Sequence, residues 1–413
     1  MPHRPLAGIR VIDLTSVLAG PYCTYQLALL GAEVVKIELP GSGDLARHLG
    51  PDPALNDAGL GASFLAQNAG KQSVELDLKH EADRARFDEL VGVADVLVEN
   101  FRAGVLARLG YDWPALRALN DGLVYCAISG FGQSGPMCRA PAYDQVIQGL
   151  SGMMSITGTP QSAPLRVGFP VCDTVGGLTA ALAVVAAIAG RQHHGQGCFL
   201  DVSMLEASIS AMGWAVSNYL IAGVPPEPMG DQNATAAPSG TFEAADGPLN
   251  IAANRQEQFE ALCRCVGRPD LLQDPRFGHR EQRKRHRAEL NGELNRALAA
   301  RTAAEWEREL TTVGVPAARI LTVPEALDLE QLAHRDFVAE VAFPATAADP
   351  RPTVHVTGSG VLVDGQPHRP AGPPPLLGEH NAELELTIQR WTVARRAAGA
   401  EAVGASSLKD ATA

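Results

Sequence analysis

The sequence predicts an α/β protein: a large doubly wound, Rossmann-like domain with a parallel sheet, drawn from both ends of the chain, and a smaller α+β domain between them. Three observations carry this. Strand-like and helix-like runs alternate through the first half; the N-terminal run forms a βαβ unit, whose home is a parallel sheet covered by helices; and 413 residues, 46% hydrophobic and 19% charged, suffice for large cores in two domains.

Residues 9–14 form a β-rich run, 22–30 read as a helix ended by Gly31, and 33–37 return as a strand. The rhythm continues with a helix over 82–93, a strand over 96–99, a helix over 113–120 and a strand over 123–128. A helix from about Asp173 to Ala189, a strand at 199–202 and a helical stretch from Met204 to about Tyr219 follow. The polar, Pro- and Gly-containing stretch 223–239 reads as a linker. Beyond it come charged amphipathic helices over 256–266, 283–300 and 303–312, and from Pro344 β-rich segments such as Thr353-Val-His-Val-Thr357. The expected organisation is a large domain over 1–222, a linker and small domain over 223–330, a return to the large domain over 331–395 and a flexible tail over 396–413.

Thirty-four basic against 46 acidic residues give a formal charge of −12, which argues against a general nucleic-acid or anionic-membrane surface. Seven cysteines, scattered and without zinc-type spacing, read as reduced thiols of a cytoplasmic protein. No metal site is expected. The N-terminus lacks an apolar signal core, and the apolar run near 178–189 is too short to cross a bilayer.

A formal GxGxxG stands at Gly130-Phe-Gly-Gln-Ser-Gly135, after a strand. The dinucleotide fingerprint requires a helix to start within the glycine turn, and Pro136 and Pro141 forbid one, so the segment reads as a loop or lid. No GxxxxGK[ST], HExxH or GxSxG occurs. Lys71, Lys79, Arg102 and Arg108 fall near strand ends, where open parallel sheets place ligands, and are candidates for holding phosphates. Asp173, in Arg166-Val-Gly-Phe-Pro-Val-Cys-Asp-Thr-Val-Gly-Gly177, lies where an apolar strand gives way to an Ala-rich helix. There it can cap the helix, or serve as a nucleophile kept ionised by the helix N-terminus.

Further motifs run along the chain: Leu6-Ala-Gly-Ile-Arg-Val-Ile-Asp-Leu-Thr15, Leu29-Leu-Gly-Ala-Glu-Val-Val-Lys-Ile-Glu38, Pro40-Gly-Ser-Gly-Asp44, Asn68-Ala-Gly-Lys71, Ala94-Asp-Val-Leu-Val-Glu-Asn-Phe101, Pro141-Ala-Tyr-Asp144, Asp274-Pro-Arg-Phe277 and Leu376-Leu-Gly-Glu-His380. Together they resemble the class III CoA-transferases, the family of formyl-CoA:oxalate and carnitine CoA-transferases, related to α-methylacyl-CoA racemase. The resemblance implies that Asp173 is the nucleophile, forming an acyl-aspartyl anhydride and then an aspartyl-CoA thioester. It implies CoA contacts at Val17, Ala19, Leu76, Lys79, Asn100, Phe101, Arg108 and Tyr143, with CoA or acyl-CoA as substrate and no tightly bound cofactor. Gly176 and Gly177 would let backbone approach the reacting carbonyl. The assembly implied is an interlocked homodimer.

Formyl-CoA transferases carry His and Gln near Ser16 and Leu18, an Arg at Leu39 and a glycine-rich loop between the halves. This chain has none of these, which speaks against formate transfer to oxalate. Racemases of the same fold place a His before Asp144, where Tyr143 stands, and a phenol of ordinary pKa near 10 is a poor base at neutral pH. The expected function is transfer of CoA from a small acyl-CoA, such as succinyl-CoA, to a small carboxylic or dicarboxylic acid. A racemase or a catalytically silent CoA-binding protein are the alternatives.

Overall fold

The structure, a computed structural model, describes residues 3–343 and 351–410, with side chains as far as 397. The tail expected at 396–413 therefore falls almost wholly outside the described side chains, and 344–350 lie outside the described residues.

Six strands build one sheet: β1 (Arg10–Leu14), β2 (Glu33–Glu38), β3 (Gln72–Glu75), β4 (Val96–Glu99), β5 (Val124–Ser129) and β6 (Cys198–Ser203). Their order is β3-β2-β1-β4-β5-β6, and every pairing is parallel. The chain grows outward from β1 through β2 to β3, then returns to lay β4 on the other side of β1. That reversal opens a crevice beyond the carboxyl ends of β1 and β4.

The helices that position the site are α1 (Ala19–Leu29), α2 (Glu81–Val93), α3 (Trp113–Leu119), α4 (Asp144–Leu150), α5 (Val171–His194) and α6 (Met204–Ala211). Consecutive strand residues point to opposite faces, and both faces are apolar because both are covered. Val11, Val34, Val98, Cys126 and Ile128 pack with Cys23 and Leu27 of α1 and Ala180 and Val184 of α5. Ile12, Val35, Leu97 and Ala127 pack on the other face with Phe87 and Leu90 of α2, Leu116 of α3 and the C-terminal helix Leu384–Asp410 through Leu384, Ile388 and Trp391. Among the described residues α5 is the one helix long and apolar enough to cross a bilayer, longer than the run read from sequence. Its Gly176, Gly177, Ala180, Ala181, Val184 and Ile188 are buried.

The sequence-based strands and helices of the first half coincide with these elements to within a few residues. The exceptions are β3, whose Gln-Ser-Val-Glu leaves too few apolar residues for a pattern to show, and the seven-residue α4, too short for its periodicity to show. The segment before Asp173 is not a strand: residues 163–170 run as irregular chain into α5. After β5 no helix begins in the glycine turn; the chain runs irregularly to α4.

Residues 154–166 and 218–329 form a second, smaller unit, and the remainder forms the larger one. The smaller unit holds a three-stranded antiparallel sheet of β7 (Ser239–Ala244), β8 (Gly247–Ala252) and β9 (Ala317–Arg319). Phe242, Leu249, Ile251, Phe259, Leu262, Trp306 and Leu310 form its core.

Trp391 is 1% exposed in the core of the larger unit. Trp391→Ala is expected to destabilise that unit by about 3–5 kcal/mol, read as a lowered urea midpoint.

Candidate active site

Two clefts open at the carboxyl ends of β1 and β4. The first, about 220 Å³, is lined by Ser16–Ala19 after β1, Asn100–Arg102 after β4, Ile128–Gly130 at the end of β5, and Cys138, Ala142, Tyr143, Asp173 and Met204. The second, about 290 Å³, is lined by Leu14–Ser16, Ile37–Leu39, Asp44, Leu76–Lys79, Phe101 and Leu109. Ser16 and Phe101 belong to both, so the clefts adjoin across one wall.

Of the residues that the sequence singled out, Asp173, Val17, Ala19, Asn100, Phe101 and Tyr143 line the first cleft. Leu76, Lys79 and again Phe101 line the second. Arg108 lines neither; it ends the short helix Val105–Arg108 beyond the Asn100–Arg102 wall. Arg102 lines the first cleft. Lys71 is not available to a phosphate. It is 3% exposed, and its ammonium lies 2.8 Å from Thr24 Oγ1 and Asn68 Oδ1 and 3.0 Å from Asp13 Oδ2 and the Pro21 carbonyl. Four acceptors exhaust its three protons.

Asp173 does not cap α5. The helix begins at Val171 after Pro170, which offers no side-chain cap, and Asp173 is its third residue. The missing cap comes from another element. Asp144, the first residue of α4, accepts the backbone N–H of Cys172 at 2.8 Å and of Asp173 at 3.4 Å on Oδ1. Its Oδ2 accepts Gln148 Nε2 at 2.7 Å. One carboxylate thus satisfies the helix terminus and leaves the second free to face the cleft. The sequence showed Asp144 only as part of a motif, with nothing to say that it would cap α5.

Gly176 and Gly177 do not face a reacting carbonyl. A Cβ on Gly177 would stand 2.5 Å from the Ala19 carbonyl oxygen, and one on Gly176 would stand 2.9 Å from Met204 Cγ. They are the surfaces at which α5 meets α1 and α6.

Residues 6–381 match the sequence model of CoA-transferase family III. The chain belongs to that family. The acetyl-CoA:oxalate CoA-transferase of Acetobacter aceti is 38% identical over 93% of this chain and 95% of its own length. The succinate–glutarate CoA-transferase of Agrobacterium fabrum is 35% identical over 94% of this chain and 98% of its own. The crystal structure of a CAIB/BAIF family protein from Brucella suis superposes with a TM-score of 0.80 at 32% identity, covering 93% of this chain and 99% of that one. The resemblance read from the motifs stands, and the chain is a CoA-transferase.

Charge in this transferase is arranged in two ways. Behind the cleft, burial opposes ionisation of Asp13, yet Lys36, Lys71 and the hydroxyls of Thr15 and Thr24 hold its carboxyl well below the usual range. Burial pushes Lys71 down to about 8 against the pull of Asp13. On the cleft wall the balance reverses: burial, and then the neighbouring Asp144 charge, push Asp173 up to about 7. The expectation that a helix start keeps Asp173 fully ionised is therefore corrected. Among the described residues no cation compensates its burial, and the helix terminus is already occupied by Asp144.

A carboxyl raised from 3.8 to about 7 loses its proton first in the unfolded chain. It therefore penalises the fold increasingly as pH climbs between those values, and by a constant amount above them. Asp173→Asn removes the penalty. It is expected to stabilise the protein by about 1–3 kcal/mol at pH 8 and by almost nothing below about pH 4, read as the difference in Tm across that range.

Proposed function

We propose that this transferase moves CoA from a small acyl-CoA, with succinyl-CoA the first choice, to a small carboxylic or dicarboxylic acid, through Asp173. One observation carries the reading: among the described residues, Asp173 is the only carboxylate lining the first cleft, and that cleft shares a wall with a second one. A long ligand with a nucleotide at one end and a thioester at the other suits such a pair. The nucleotide would occupy the second cleft, beside Leu76 and Lys79. The arm would cross at Ser16 and Phe101, past Val17, Ala19, Asn100 and Tyr143, and bring the thioester to Asp173. Arg108 would meet phosphates only beyond these walls.

In the proposed sequence the Asp173 carboxylate attacks the thioester carbonyl and expels CoA thiolate, leaving a mixed anhydride. The thiolate attacks the aspartyl carbonyl, releases the donor acid and leaves an aspartyl-CoA thioester. The acceptor acid then attacks that thioester and forms a second anhydride, from which the thiolate takes the acceptor's acyl group. A carboxylate suits this role because an anhydride keeps the activation of the thioester, which a serine ester would dissipate. The raised pKa makes the ionised form a stronger nucleophile without removing it at neutral pH. Water must be kept from both intermediates, and the loop 130–143, which contributes Gly130, Cys138, Ala140 and Ala142 to the cleft, would do so.

Among curated relatives, the enzymes of mouse and human are named succinyl-CoA:glutarate CoA-transferase, and that of Chloroflexus aurantiacus succinyl-CoA–D-citramalate CoA-transferase. These names make succinyl-CoA the donor to try first. Formation of new CoA esters from succinyl-CoA and a panel of oxalate, glutarate, mesaconate and citramalate, followed by mass spectrometry, tests the choice. Asp173→Ala is expected to reduce turnover at least about 1,000-fold with circular dichroism unchanged. The rate constant kcat/KM should fall about tenfold per pH unit below pH 7 and level above it, since only the ionised carboxylate attacks. A flat profile from pH 5.5 to 8.5 contradicts the role of Asp173.

The active form is proposed to be an interlocked homodimer working in the cytoplasm. The helix Gly213–Ala222 supports the dimer: none of its residues is buried, and Trp214 and Ile221 are 78% and 85% exposed. Free cysteines throughout the chain suit a reducing compartment. Light scattering coupled to gel filtration should give twice the chain mass.

A further inference from the structure

We infer that the buried Lys36–Asp44 ion pair is a positioning device for CoA: it holds Val17 in a left-handed backbone conformation, and this conformation divides the β1–α1 turn between the two clefts. The inference rests on the reading that one acyl-CoA spans both clefts.

Val17 has φ of 70°. Only two other described non-glycine residues share a positive φ, Asp336 and Asp364, and aspartate tolerates that region through its short polar side chain. A β-branched residue does not, so the surroundings must impose the conformation. Those surroundings are specific. Asp44 Oδ1 accepts the Val17 N–H at 2.9 Å, Ser16 Oγ at 2.8 Å and the Ala46 N–H at 2.9 Å. Its other oxygen lies 3.0 Å from Lys36 Nζ, which also donates to the Thr15 carbonyl at 2.6 Å. Asn100 closes the turn from β4, accepting the Ser16 N–H and donating to the Ser16 carbonyl, both at 2.8 Å. Lys36 and Asp44 are 0% and 3% exposed, so neither side chain is held by water.

The consequence lies in which residues face which cleft. Leu14, Thr15 and Ser16 line the second cleft; Ser16, Val17, Leu18 and Ala19 line the first. The left-handed residue is the point of changeover. An extended or right-handed Val17 would redirect the chain on one side of it, and a ligand bridging the clefts would lose one wall. Asp44 lines the second cleft but touches no reacting atom in this scheme, and its hold on the turn acts through residues 16 and 17.

Isothermal titration of free CoA into the full-length protein and its variants tests this. Asp44→Asn, which removes the charge that Lys36 needs, is expected to weaken CoA binding at least tenfold, and to raise KM for acyl-CoA similarly while kcat changes less than threefold. Ser16→Ala deletes one of the three bonds to Oδ1 without exposing a buried charge, so it folds if Asp44→Asn does not; a loss of threefold or more is expected. Asp44→Ala with Val17→Gly should bind at least threefold tighter than Asp44→Ala alone, because glycine adopts the left-handed conformation unaided. A merely structural ion pair would lower Tm and show no such rescue. Wild-type affinity in Asp44→Asn or Ser16→Ala, or no recovery in the double variant, overturns the inference. Wild-type protein that binds no CoA would instead refute the reading of the clefts, and this inference with it.

Discussion

The carboxylate of Asp144, accepting the first free N–H groups of α5, is the contact on which the site's geometry depends. A helix terminus must be satisfied, and the residue nearest to hand, Asp173, would ordinarily do it from within the first turn. Handing that task to the opening residue of α4 ties two helices together and frees Asp173 to face the cleft. The same contact places two carboxyl groups close together, which adds to burial in raising the pKa of the one on the cleft wall. Position and ionisation of the proposed nucleophile thus follow from one capping arrangement.

The sheet supplies the place for it. Growing outward from β1 and then returning beside it leaves a crevice between β1 and β4 that no crossover helix covers, and the two clefts lie there. The turn residues after β1 and β4 must be both polar and rigid to serve as walls. Buried charge provides the rigidity: Asp13 with Lys71 under α1, and Lys36 with Asp44 under the turn. Each lysine is paired with a buried carboxylate, so these charges organise backbone, while Lys79 and Arg102 stand on the cleft walls. The asymmetry between a compensated network behind the cleft and an uncompensated carboxylate on its wall separates scaffold from proposed reactive group.

Much of this was legible in the sequence, for identifiable reasons. The strands β1, β2, β4 and β5 are short apolar runs bounded by turns, and α5 is long and Ala-rich, so periodicity and composition reveal them. The family resemblance pointed to Asp173 and eight further residues, and all but Arg108 line the clefts, because its motifs fall at strand ends. What escaped is whatever depends on partners distant in sequence. Lys71 looked like a phosphate ligand until its bonds to Asp13, Thr24 and Asn68 were seen. Gly176 and Gly177 looked catalytic and turned out to be packing surfaces. Asp173 looked like a cap because no local pattern announces that Asp144, 29 residues earlier, has taken that role. β3 escaped because a four-residue strand paired along β2 needs only two buried side chains.

The central claim is that an oxygen of Asp173 becomes covalently acylated. Protein incubated with succinyl-CoA in the absence of an acceptor acid, quenched with hydroxylamine, digested and mapped by mass spectrometry tests it most directly. The account predicts a hydroxamate on Asp173 and nowhere else, formed only when the thioester is supplied. A modification at another residue, or an unmodified Asp173 in protein that is turning over, would contradict it.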